Sequence, residues 1–91
     1  MITIEEIDER TFKVTVADRS TTTHTVTVDP LYHAELTGGR ASAEKLVEKS
    51  FEFLLERESN TSILASFELP VIGRYFPDYE TTIREMLDPQ A

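Results

Sequence analysis

The chain has 91 residues, 17 acids against nine Lys and Arg, a net charge of −8 and no cysteine. A chain of this length buries one hydrophobic core, so a single domain over 1–91 is expected. Without cysteine it has neither a disulfide framework nor a thiolate for catalysis or zinc.

The negative charge is spread: −3 over Met1 to Asp29, −2 over Pro30 to Ser59 and −3 over Asn60 to Ala91. No basic stripe is available to displace counterions, so nucleic acid and anionic membrane are disfavoured as direct partners, while a basic protein or a neutral ligand stays open. The start MITIEEIDERTF has neither a positive n-region nor an apolar h-region, and the longest apolar run, Phe53-Leu54-Leu55, cannot span a bilayer. These features lead to the expectation of a cytoplasmic protein without a membrane partner.

Residues 2–28 read as a three-stranded antiparallel meander. Phe12, Val14 and Val16 alternate with Thr11, Lys13, Thr15 and Ala17, and Val26 and Val28 alternate with Thr25 and Thr27, the period of half-buried strands. Turning the apolar residues to one side pairs Phe12 with Val28, Val14 with Val26 and Val16 with His24, around an odd-numbered loop centred on Arg19-Ser20-Thr21. Upstream, Ile2, Ile4 and Ile7 break strict alternation. A tight turn at Glu9-Arg10 sets Ile7 against Phe12, and Ile4 and Ile2 then meet Val14 and Val16 only through a β-bulge in which Glu5 and Glu6 together oppose Lys13.

After Val28 the period becomes helical, and residues 30–88 form the expected helical part. Asp29-Pro30 offers an N-cap and a first-turn proline, Leu31, Tyr32 and Leu36 recur at helical spacing, and Gly38-Gly39 supplies a left-handed stop, giving a helix over Pro30 to Leu36. Ser42 caps a longer amphipathic helix running to about Glu58. Leu46, Val47, Phe51, Leu54 and Leu55 lie on one of its faces and Glu44, Glu48, Glu52 and Glu56 along another. A short helix over Ser62 to Phe67 is capped by Asn60, Thr61 or Ser62, and a second covers Pro70 to Tyr75 before Pro77 ends it. A last helix runs from Asp78 toward Leu87 with Tyr79, Ile83, Met86 and Leu87 as its stripe, and Asp88 to Ala91 are expected to fray. The expected fold is α+β: a three-stranded antiparallel N-terminal β-meander followed by a C-terminal helical layer of four to five mostly short helices.

No pattern of reactive residues survives inspection, so no catalytic, cofactor-binding or metal residues are assigned. His24 and His33 are the only histidines; the strand register puts His24 on the core face, His33 falls on a short helix, and no ligand spacing joins them. An enzyme using either in a cleft is the third reading. The carboxylate pairs fall in turns, caps or solvent-facing positions, where general acid–base work has no source of a shifted pKa. Gly38-Gly39-Arg40 lacks the spacing of a phosphate loop and is explained by a helix stop. The outward threonines Thr15, Thr23, Thr25 and Thr27 are ordinary strand residues.

One stretch stands apart. SFELPVIGRYFPDYE, Ser66 to Glu80, holds Phe67, Tyr75, Phe76 and Tyr79 together with two prolines and Arg74. The short helix within it is apolar nearly all round, so it is buried on several sides or offers part of its surface to another chain. Tyrosines beside an arginine have the composition of interface anchors, and Arg74, Tyr75 and Tyr79 form the hypothetical protein-binding patch. A helix-turn-helix pair, SILASF then PVIGRYF, is the alternative and implies a transcriptional or antitoxin-type regulator, but its reader helix offers only one basic side chain to base edges.

The runs LTGGRASAEKLVEKSFEFLLERESNTSIL and SFELPVIGRYFPDYE resemble those of a family of small uncharacterised bacterial proteins with a β-rich start and a helical remainder. The resemblance covers nearly the whole chain and implies a free-standing bacterial domain. The family has no assigned activity, so no functional residue is transferred. The leading expectation is a small acidic accessory or regulatory module that associates with another protein or with itself.

Overall fold

The computed structural model describes residues 1–87, and the expected fraying of Asp88 to Ala91 lies outside the described residues. Three strands, β1 (Ile2–Glu6), β2 (Thr11–Ala17) and β3 (Thr21–Thr27), are followed by the helices α1 (Pro30–Thr37) and α2 (Ala43–Leu55). A 3-10 turn at Asn60–Ser62, the strand β4 (Ser66–Glu68) and the helices α3 (Val71–Tyr75) and α4 (Tyr79–Leu87) complete the order. The architecture is α+β, as the sequence predicts, but the sheet has four strands, in the order β1-β2-β3-β4, with β4 parallel to β3. A parallel neighbour requires a crossover connection, which α1, α2 and the 3-10 turn supply.

The inward set of the meander is the expected one, while its register differs by two. Phe12 pairs with Val26, Val14 with His24 and Val16 with Thr22. Alternation fixes which residues share a face, but a shift of two preserves every face, so the position of the loop decides. The loop is Asp18-Arg19-Ser20, closed by the pair Ala17 and Thr21. Val28, beyond the end of β3, stays buried and donates its N–H to the Arg10 carbonyl at 2.7 Å.

The expected bulge is absent. Ile2 meets Val16 and Ile4 meets Val14 as predicted, yet Glu5 alone opposes Lys13 and Glu6 opposes Phe12. The reason lies in the turn. The Asp8 carboxylate accepts from the N–H groups of Arg10 and Thr11, each at 2.9 Å, and Ile7 donates to the Thr11 carbonyl at 2.8 Å. This side-chain cap replaces the tight Glu9-Arg10 turn, so the ladder stays regular and Ile7 is left exposed. The Arg10 N–H, with Thr11, holds the Asp8 carboxyl below the ordinary Asp value of 3.8.

The helical layer covers one face of the sheet. Asp29 caps α1 through the Leu31 N–H, and Gly38 ends it at φ 63°, a left-handed conformation that glycine adopts without strain. Ser42 caps α2 by accepting from the Lys45 N–H, a bond whose loss typically costs about 1 kcal/mol. Leu46, Val47, Phe51 and Leu54 are buried as predicted, joined by Phe53 and Ser50. The helix stops at Leu55 rather than at Glu58, where the Arg57 N–H shifts to the Leu54 carbonyl three residues back, the tighter bond of a 3-10 turn. Arg57 secures that end: its guanidinium lies 3.6 Å from the Phe53 ring centroid, donates to the Phe53 carbonyl and pairs with Asp78 at 3.1 Å.

The largest departure is at residues 62–67. The expected helix over Ser62 to Phe67 is a 3-10 turn, an extended link and β4. Phe67 is half-buried and Leu69 buried, whereas Ser66 and Glu68 are exposed, so residues 66–69 alternate as a strand does. Asn60 does not cap a helix. Its amide donates to the carbonyl of Ser20 at 2.9 Å, to Thr22 Oγ1 at 3.0 Å and, more distantly, to the Val16 carbonyl at 3.4 Å. This amide ties the chain to the end of the β2–β3 hairpin and delivers it alongside β3.

Candidate functional site

The stretch Ser66 to Glu80 divides between core and surface. Tyr79 is fully buried at the start of α4. Its hydroxyl lies 2.6 Å from Ser50 Oγ, which also donates to the Leu46 carbonyl, and its ring meets Phe53 edge-on at 5.3 Å. Tyr79 is therefore a core anchor and cannot belong to a surface patch with Arg74 and Tyr75. The i, i+4 spacing of Tyr79 and Ile83, both buried, turns it inward.

Tyr75 points the other way and is 67% exposed. It borders a cleft of about 180 Å³ lined by Leu54 of α2, Glu58 just beyond that helix, Ile63 and Leu64 before β4, Phe67 in β4, and Val71, Ile72 and Phe76 around α3. The lining is apolar apart from Glu58 and Ser62. Leu64, also in the lining, is 48% exposed. Arg74 is exposed in the last turn of α3 beside Tyr75 and makes no salt bridge among the described residues. The sequence singles out Arg74 and Tyr75 but misses Ile63 and Leu64, which line the cleft beside the inward Leu54 of α2 once the chain before β4 is extended.

The cleft is smaller than the roughly 300–1,000 Å³ typical of small-molecule sites. A broader hollow of about 410 Å³ between the end of α1 and α4 is walled by Glu35, Arg40, Arg84 and Glu85, all exposed and mixed in sign. It presents no single-signed or apolar face.

The histidines are far from any shared chemistry. His24 is buried with both ring nitrogens engaged: Nδ1 lies 2.8 Å from the Leu64 carbonyl and Nε2 2.9 Å from Thr22 Oγ1. A carbonyl can only accept, so Nδ1 carries the proton. Thr22, which accepts from Asn60, donates to Nε2. His24 thus holds the link before β4 against β3 and packs on Phe51 at 5.4 Å. His33 Nε2 donates separately to the Ala41 carbonyl at 2.6 Å. No cluster of three potential metal ligands is present among the described residues.

The helix-turn-helix geometry is not formed, because its expected first helix is the extended link and β4. No helix among the described residues is long and apolar enough to cross a membrane.

Two tyrosine hydroxyls, one buried at Tyr79 and one half-buried at Tyr32, set an alkaline limit. Burial raises Tyr79 well above the ordinary tyrosine value of 10, and burial together with the hydrogen bond to Glu80 raises Tyr32 likewise. Folded values above the unfolded ones mean that the contribution is complete below pH 10 and is lost as pH rises beyond it. Chemical denaturation across this range is expected to show stability falling above pH 10. A flat profile would contradict the burial of Tyr79.

Comparison with models of protein families, with curated proteins and with solved structures finds no significant match, consistent with the uncharacterised family that the sequence resembles.

Proposed function

We propose that the chain is a small accessory or regulatory module that works by binding another protein, with the mouth of the cleft, Tyr75, Leu64 and the adjacent Arg74, as the contact surface. The observation that carries this reading is Tyr75, a large aromatic ring 67% exposed at the rim of an apolar cleft. Tyrosine and arginine are enriched among interface anchors, and apolar surface bordered by polar groups marks sites of protein contact. Tyr79 has no part in it. We place the module in the cytoplasm, an environment with which a chain free of cysteine is compatible.

The test is the double variant Arg74→Ala, Tyr75→Ala. Both side chains are exposed, so its stability is expected within about 0.5 kcal/mol of the parent. Proteins captured from host lysate with nuclease present would be identified, purified and titrated against both forms. The expected result is association weakened at least tenfold, about 1.4 kcal/mol. Equal affinity for parent and variant would remove this surface from consideration, and recovery that depends on nucleic acid would favour the regulator reading.

A further inference from the structure

The cleft adjoins an unfinished sheet. β4 ends the strand order and pairs with β3 alone. The Thr25 N–H donates to the Ala65 carbonyl at 2.8 Å and the Leu69 N–H to the Thr27 carbonyl at 3.0 Å. In a parallel ladder each residue turns both its backbone groups to the same neighbour and the next residue turns its groups away. Residues 65, 67 and 69 therefore face β3, and Ser66 and Glu68 direct their N–H and C=O groups to the open edge.

Side chains alternate correspondingly. Phe67 lines the cleft, while Ser66 and Glu68 lie on the uncovered face of the sheet. A fifth strand laid on this edge would place the residue beside Phe67 into the cleft, between Leu64 and Tyr75, and its neighbours beside Ser66 and Glu68. The charges select the occupant. Glu58 is the only ionisable acid or base other than Tyr75 in the cleft lining, and Glu68 is the charge on the strand. A second copy would set −8 against −8 and bring another Glu68 to the edge, whereas a charged edge residue commonly guards against such self-pairing.

We propose that β4 is a template for strand addition and that its occupant is an extended segment of a partner protein in which apolar residues alternate with lysine or arginine. The apolar residues fill the cleft and the basic ones stand beside Glu68. This rests on the module reading and specifies how that surface is used. Backbone hydrogen bonds to Ser66 and Glu68 supply affinity and the cleft supplies selectivity, the division of labour in β-augmentation.

The experiment is amide hydrogen exchange by NMR on the full chain, with a short peptide of alternating lysine and valine as the probe. Controls are the same peptide with glutamate for lysine and one with backbone nitrogens methylated. At roughly ten times its Kd the lysine peptide is expected to slow exchange of the Ser66 and Glu68 amides about tenfold, following 1 + [L]/Kd. The methylated peptide should fail, and Glu68→Lys should weaken the lysine peptide roughly threefold or more.

Shifts confined to Leu64 and Tyr75, with exchange at Ser66 and Glu68 unchanged, would overturn strand addition while leaving the module reading intact. Equal binding of the glutamate peptide would overturn the basic partner. Protection that rises with protein concentration alone would identify a second copy as occupant and overturn the proposal. Absence of peptide binding at millimolar concentration would also overturn it, and the module reading would then stand or fall on the Arg74 and Tyr75 variant.

Discussion

Phe51→Ala is expected to remove about 3–5 kcal/mol of stability, the range for emptying an aromatic site in a core. Phe51 is fully buried on α2, and its ring lies 5.4 Å from His24 of β3 and 6.1 Å from Phe67 of β4. It therefore joins the main helix to both members of the parallel strand pair. Set against a total of roughly 5–15 kcal/mol for a domain, the loss should bring the variant near the limit of folding. Urea denaturation checks it: the midpoint should fall sharply with the slope little changed. A loss under about 1 kcal/mol would mean that α2 does not press this ring against the sheet.

Asn60→Ala is the second large effect, expected at about 2–4 kcal/mol. The side chain is 3% exposed and serves the Ser20 carbonyl and Thr22 Oγ1 at full hydrogen-bond strength. Removing it leaves two part-buried acceptors without this donor, each at roughly 1–3 kcal/mol. Because Thr22 in turn donates to His24, the effects of Asn60 and His24 substitutions should be non-additive. Denaturation of the two single variants and the double variant gives that coupling directly. Strict additivity would show that the contacts do not act as one network.

These two residues also explain what could be read from the sequence. The faces of the meander, the caps at Asp29 and Ser42, the stop at Gly38 and the inward stripe of α2 are local signals, written within a few residues of where they act. Register was open to error because a shift of two leaves the same side chains inward, and only the three-residue loop at Asp18-Arg19-Ser20 settles it. β4 depends on distant partners. It is three residues long, and it exists because Asn60, Leu64 and Phe67 engage β3 and α2 across the fold. Its signal was present in the alternation of Ile63, Ala65, Phe67 and Leu69, but Leu64 interrupts that pattern and the short run also fits a helix.

The candidate surface was half legible. Arg74 and Tyr75 are exposed as a contact patch requires, whereas Tyr79 belongs to the stripe with Ile83. Helical spacing alone assigns Tyr79 inward, and that local signal outweighs its place in an aromatic cluster. The acidic row on α2 is occupied partly by its own neighbours, since Lys45 pairs with Glu48 and Lys49 with Glu52 at 3.1 and 3.2 Å. Such exposed pairs contribute little stability, and the row presents less free charge than its sequence implies.

The central claim is that β4, Ser66–Glu68, is paired on one side only, with the cleft beside it. Residue-by-residue hydrogen exchange of the free protein tests this without any partner. The expected result is protection at Thr25, Thr27, Phe67 and Leu69, with fast exchange at Ser66 and Glu68 between them. Uniform protection across 63–69 would contradict the account, because a helix or a covered edge would shield the alternate amides equally.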